Sequence, residues 1–229
     1  MKRYFKNKKL LERNNIYSKD MEHDACGVGL VASTEGKKSR KVVEYGIQAL
    51  KAVWHRGAVD ADGKTGDGAG IHVEIPKEFF KEKIEVTGHV YDNSEICIGM
   101  IFLPRNNYEA QESCRTLVEK ELTQNDFNIY GWRQVPVNTK VLGEKAEQTR
   151  PEITQVLFRH NNQKLSGKPL EIKLYETRRK IENNVRQNHL DNFYICSFSS
   201  KSIIYKGMFL AEALADFYTD LADERFISR

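Results

Sequence analysis

Cys26 opens an apolar run in the stretch His23-Asp24-Ala25-Cys26-Gly27-Val28-Gly29-Leu30-Val31-Ala32-Ser33. A thiol at the mouth of a buried strand is well placed for nucleophilic work. If the chain is cut ahead of Cys26, the thiol also gains its own free α-amine. Such an amine has a pKa of roughly 7.7–8.0, close to what a general base needs near neutral pH. A terminal amine beside a side-chain nucleophile is one way to activate it. Taken alone, the stretch also accommodates a half-buried structural cysteine, because free Cys is among the most buried residue types.

A second group follows in Trp54-His55-Arg56-Gly57, with the glycine- and aspartate-rich run Asp60–Gly70 behind it. Arg56 sits just past a helix end. Its guanidinium could fork a substrate carboxylate, or simply meet the negative end of the helix dipole. The glycines feed a strand rather than a helix N-terminus, and no Gly-Lys-Ser/Thr follows. That argues against a phosphate loop and for a tight, ordered turn beside a site. Asp60, Asp62 and Asp67 lack the remaining ligands of a calcium loop. His55 reads as structural, and His23 would leave with a cleaved leader.

The elements that must position these residues are legible from periodicity. Val28, Leu30, Val31 and Ala32 predict a short buried strand from Cys26 to about Ala32. Ser39 reads as an N-cap. Val43, Ile47, Leu50 and Trp54 form one face of a helix to about Val53, with Gly46 permitting close approach to a sheet. Ile71, Val73 and Ile75 alternate as a half-buried strand ended by Pro76. Further strands are expected over 96–103, 127–135, 153–158, 193–198 and 202–205. Helices are expected over 77–84, 108–123 and 171–185, with a helical turn over 209–217. Residues 161–169 read as a surface loop, and Ser199–Lys201 as a tight link between two strands. The pattern suggests mixed sheets covered by helices.

Composition bounds the rest. The chain has 229 residues, 40% hydrophobic, enough for one large domain or two small ones. No apolar run reaches membrane-spanning length, and residues 1–25 lack a secretory apolar core. The four cysteines are scattered without a CxxC, so neither a disulfide framework nor a zinc site is indicated. A reducing, cytoplasmic setting is expected. Of the formal net charge of +4, most sits in residues 1–25, which hold seven Lys/Arg and four Asp/Glu. The basic excess belongs to a leader, read as irregular with a short helical piece over 8–13, and no nucleic-acid partner is indicated.

Three stretches then agree: Asp24–Gly29, Ala52–Ala58 and Thr65–Gly70 closely resemble the amino-terminal region of the large (α) subunit of bacterial glutamate synthase. Tyr130–Arg133, Gly143–Ala146, Thr149–Pro151, Phe193–Ser197 and Ile204–Met208 look like the same family, so the resemblance runs from about Asp24 to the end. It implies a class II glutamine amidotransferase domain with the N-terminal-nucleophile hydrolase fold. That is an α+β four-layer αββα sandwich, here expected to be incomplete at the C-terminus.

On this resemblance residues 1–25 are a removable pro-segment and 26–229 the N-terminal part of the amidotransferase domain. Cys26 becomes the catalytic nucleophile, with Arg56 and Gly27 beside the glutamine site. The implied activity is the glutaminase half-reaction, giving glutamate and ammonia for transfer to 2-oxoglutarate. No cofactor is expected in this chain; FMN and an iron–sulfur cluster are implied for the full-length subunit. The implied partners are glutamine, the rest of the large subunit and a small NADPH-oxidising subunit. The family's downstream arginine segment and Asn-Gly oxyanion pair are not found here, so the isolated chain is expected to be weakly stable and nearly inactive. The rival expectation is a truncated, non-catalytic remnant or a subunit-binding piece of a split amidotransferase.

Overall fold

The computed structural model describes residues 6–7, 9–10, 27–54 and 57–229. Of the expected helical piece over 8–13, Lys9 and Leu10 are helical and the rest lies outside the described residues. Helix α1 spans Arg40–Ala52, with Val43 and Ile47 buried as their spacing predicts. Ser39 takes the extended N-cap backbone, but its side chain makes no cap hydrogen bond. Its backbone bridges Ser228 instead. Arg40 donates to the carbonyl oxygens of Leu221 at 2.8 Å and Asp223 at 3.0 Å, tying the helix start to the last turns of the chain. Gly46 does bring the helix close to a strand: a Cβ there would lie 3.5 Å from Ile71 Cδ1.

Strand β1 (Ala69–Glu74) pairs antiparallel with β6 (Ser202–Gly207), with Ile71 opposite Tyr205. Pro76 ends the extended run, and α2 (Lys77–Val86) buries Phe79, Phe80 and Ile84. The second sheet has the order β3-β4-β2-β5. Its strands are β2 (Cys97–Leu103), β3 (Phe127–Gln134), β4 (Glu152–His160) and β5 (Tyr194–Ser199). Helix α3 (Tyr108–Gln124) is capped by Asn107, whose side chain accepts from Ala110 N at 3.0 Å.

The core has two parts, one on each face of β2. Cys97, Ile101 and Leu103 pack with α3 and with α5 (Gly167–Gln187). Ile98 and Met100 face β1, β6, α1 and α2. The period-2 alternation of side chains thus divides one apolar strand between two cores.

Between the two sheets lies a polar network. The Arg133 guanidinium donates to both Asp220 oxygens, at 2.6 and 2.8 Å, and to Gln155 Oε1 at 2.7 Å. Tyr205 Oη donates to Asp220 at 3.1 Å and accepts from Gln155 Nε2 at 3.3 Å. Strands β3, β4 and β6 and the turn Thr219–Ala222 are thereby joined.

Several expectations are corrected. Residues 27–33 form no strand: the backbone is irregular, with Val28 89% and Leu30 92% exposed. Among the described residues no strand pairs with this segment, and an apolar run without a hydrogen-bonding neighbour cannot make a ladder. It runs beside α1 and β1 across a cavity of about 410 Å³. The sheets are antiparallel throughout the described strand pairs, not mixed. The expected tight link Ser199–Lys201 is present, and it joins strands of different sheets. Glu171 of α5 holds it, accepting from Ser200 N at 2.8 Å and Ser200 Oγ at 2.7 Å. Helix α5 begins at Gly167, inside the stretch read as loop. A 3₁₀ turn at Thr139–Val141 and a short helix α4 (Glu144–Thr149) were not expected. The helical turn near the end is realised as Ala211–Ala213 and α6 (Leu214–Phe217).

Two outcomes follow for stability. Asp220→Ala leaves the Arg133 charge buried without its partner, which should cost about 3–5 kcal/mol in urea unfolding. A smaller acid-limb effect is expected at Asp223, whose carboxyl is pulled down to about 2 by the Arg225 hydrogen bond, against the effect of burial. A folded pKa below the unfolded one stabilises above about pH 4 and is lost as pH falls toward 2. Unfolding midpoints of Asp223→Asn should therefore be flatter than wild type between those two pH values.

Candidate active site

The chain after α1 is built as a tight hairpin-like loop. Gly57 N donates to Trp54 O at 2.9 Å, Asp60 N to Thr65 O at 2.9 Å, and Asp67 N to Ala58 O at 3.3 Å. Val59 and Gly66 form a bridge at its base. Gly66 is required by close approach: a Cβ there would fall 2.7 Å from Phe209 O. Gly68 adopts φ 134°, which only glycine reaches without strain. These two positions explain why the run Thr65–Gly70 is glycine-rich.

The loop forms one wall of a cavity of about 920 Å³. Gly27 borders it on one side, with Leu50, Val53 and Trp54 from the end of α1. Gly57–Val59 and Asp67–Ala69 border it on another, and Phe209–Glu212 close it. Cys26, His55 and Arg56 themselves lie outside the described residues, as do His23 and most of residues 1–25. Their chain neighbours do not. Gly27 adjoins Cys26, and Trp54 and Gly57 flank the pair His55-Arg56.

The Asp60 and Asp62 carboxylates are engaged within the protein. Lys145 Nζ donates to Asp60 Oδ2 at 2.5 Å, and Ala61 N donates to Asp60 Oδ1 at 2.7 Å. Asp62 Oδ1 accepts from the backbone N–H groups of Lys64 and Thr65 at 2.9 and 2.7 Å. The Thr65 hydroxyl, first, and these N–H groups hold the Asp62 carboxyl well below the usual carboxylate range. Neither Asp60 nor Asp62 lines the cavity; among the described residues the carboxylates that border it are Asp67 and Glu212.

Cys97, Cys114 and Cys196 are buried free thiols. Burial pushes the Cys97 thiol far above its ordinary value and raises Cys114 and Cys196 to about 11. The thiolate is the reactive form, so these three are unsuited to nucleophilic attack. Among the described residues no group of three His, Cys, Asp or Glu is arranged to hold a metal ion. No described helix is long and apolar enough to cross a membrane.

Sequence reasoning missed two parts of this site. The Phe209–Leu210 backbone closes the cavity, a role with no local sequence signal. Gly143 and α4 brace the loop from outside. The stretch Gly143–Ala146 stood out by resemblance, but nothing in it pointed to contact with Asp62 and Thr65, some eighty residues earlier.

With this geometry in place, comparison with known proteins defines the class. The family model for class II glutamine amidotransferases matches residues 26–229, and the chain belongs to that family. It is 56% identical over 214 residues to the glutamate synthase [NADPH] large chain of Azospirillum brasilense, covering 93% of this chain and 14% of that one. It is 36% identical over 217 residues to the glutamate synthase [NADPH] large chain of Bacillus subtilis, covering 93% and 14%. It is also 36% identical over 224 residues to the ferredoxin-dependent glutamate synthase of Pyropia yezoensis, covering 96% and 14%. The chain thus spans about one-seventh of the length of these relatives.

The thiol environments make a direct expectation. Iodoacetamide at pH 7 on the folded protein should leave Cys97, Cys114 and Cys196 unmodified in peptide mapping, and all three should react once urea unfolds the chain.

Proposed function

We propose that the chain hydrolyses the side-chain amide of glutamine, with Cys26 as nucleophile and its own α-amine as base. One observation carries this reading. Gly27, next to Cys26, and Gly57, next to Arg56, border the same cavity. The three other thiols are masked by burial, and family membership favours an enzyme over an inert remnant.

The chemistry needs residues 1–25 removed, so that Cys26 is N-terminal. The α-amine takes the Sγ proton, and the thiolate attacks the amide carbon to form a C–S bond. The C–N bond then breaks. Ammonia leaves with the proton from the amine, and a γ-glutamyl thioester remains. Water loses a proton to the amine and attacks the thioester. The C–S bond breaks, releasing glutamate and the thiol. Arg56 forks the glutamine α-carboxylate, and Gly27 leaves the nucleophile's flank free of a side chain.

The reading includes the finer architecture, a four-layer αββα sandwich. Helices α3 and α5 on one face of the larger sheet, β1 and β6 against the other, and α1 beyond them support it. It also includes a cytoplasmic setting and a larger assembly. In that assembly the rest of a glutamate synthase large subunit passes the ammonia to 2-oxoglutarate, and a small subunit oxidises NADPH. The iron–sulfur cluster and FMN of such an enzyme do not belong to this domain. A cluster needs several converging thiolates, and of the described cysteines Cys97 and Cys114 lie in one core and Cys196 in the other.

The test uses the full-length polypeptide carrying this chain. The glutamine-like electrophile 6-diazo-5-oxo-L-norleucine should add to Cys26, in a protein whose intact mass shows loss of residues 1–25. Cys26→Ala should reduce glutamine hydrolysis by at least about a thousandfold. Labelling at another cysteine, or full activity with residues 1–25 still attached, overturns the assignment.

A further inference from the structure

The loop that walls the cavity is also held from outside. Its tip, Asp60–Thr65, rests on the start of α4. Thr65 Oγ1 donates to Asp62 Oδ2 at 2.5 Å and accepts from Ala146 N at 3.2 Å. Asp62 Oδ2 further accepts from Lys145 N at 3.4 Å. Thr65 is only 2% exposed, although it lies in a surface loop. Gly143 sits directly beneath: a Cβ there would lie 2.6 Å from Thr65 N and still closer to Asp62 Oδ2 and Thr65 Oγ1. Gly143 has φ −74° and ψ 162°, which any residue adopts. It is glycine for the sake of the contact, not of its own backbone.

The opposite side of the same loop, at Gly57–Val59, Gly63 and Asp67–Gly68, faces the cavity. Glycines at 57, 63, 66 and 68 make this segment costly to order. Something must hold it in one arrangement if the wall is to be ready before a ligand arrives. We propose that Asp62, Thr65 and Gly143 form a clasp that positions this loop for glutamine, making them positioning residues for the hydrolysis. The proposal rests on the glutaminase reading and deepens it. The Asp62 carboxyl, ionised at neutral pH in any case, is held below its ordinary range by the Thr65 hydroxyl and the loop N–H groups, so the clasp stays ionised well into acid. Its contribution is present above the ordinary carboxylate range and is lost only as pH falls through the lowered value.

A clasp that pre-organises binding acts on KM rather than on kcat. The test compares Gly143→Ala, Thr65→Val and Thr65→Ser in the full-length polypeptide. Gly143→Ala pushes the clasp apart sterically while removing none of its hydrogen-bonding groups. Thr65→Val removes the hydroxyl at nearly constant volume, and Thr65→Ser keeps it. If the opened loop is competent about one-tenth of the time, KM for glutamine rises about tenfold in the first two variants, with kcat within about twofold. Thr65→Ser should restore a KM near that of wild type. Trypsin cleavage after Lys64, at the loop tip, should accelerate in the first two variants and not in the third.

Unchanged KM in Gly143→Ala and Thr65→Val, with faster Lys64 cleavage, overturns the positioning role. So does a Thr65→Ser variant as impaired as Thr65→Val. Unchanged cleavage in all three shows that no clasp exists. A wild-type protein without glutaminase activity refutes the functional reading instead, and the Lys64 cleavage rates still report on the clasp.

Discussion

The Arg133–Asp220 pair is the contact on which the remaining arrangement turns. The Arg133 and Asp220 side chains are 12% and 3% exposed, so both charges are largely withdrawn from water. A buried charge is tolerable only when paired and hydrogen-bonded. Gln155 and Tyr205 complete that pairing, and they come from the two different sheets. The network therefore demands one particular stacking of β6 over β3 and β4. An apolar interface would tolerate sliding; convergent hydrogen bonds do not.

That stacking carries the cavity. Once β6 is fixed over the larger sheet, the chain leaving it at Gly207 turns through Phe209 and Leu210. Their backbone meets Gly66 so closely that no side chain fits between. Strand β1, paired residue for residue with β6, delivers Asp67–Ala69 to the same place. Helix α1 packs on β1 through Val43, Ile47 and Gly46, and its last turn brings Trp54 to the rim. The site thus depends on long-range pairing rather than on the local sequence around Cys26.

Most elements were legible because their apolar periods are strong. The faces of α1 and α3 and the alternation in β1 each read at their own spacing. The failures have physical causes. Residues 27–33 are as apolar as a strand, but a strand also needs a partner edge, which composition does not reveal. Helix α4 is six residues long, too short to show a period, and its start is held by Asp62 and Thr65 from far away. The tight link between β5 and β6 was legible, but not that the chain crosses between sheets there, where Glu171 holds it.

By itself the sequence determined the chemistry on offer: a cysteine that cleavage could make N-terminal, an arginine past a helix end, and a glycine-rich loop that follows it. Those features are local, written in residue types and short spacings, and the family resemblance rests on the same stretches. Tertiary structure alone decided that the neighbours of Cys26 and Arg56 border one cavity. It also decided that three of the four thiols are buried out of use, and that Asp62 faces α4. Each of these follows from pairing and burial between residues distant in the chain, and no local pattern encodes which distant group a side chain will meet.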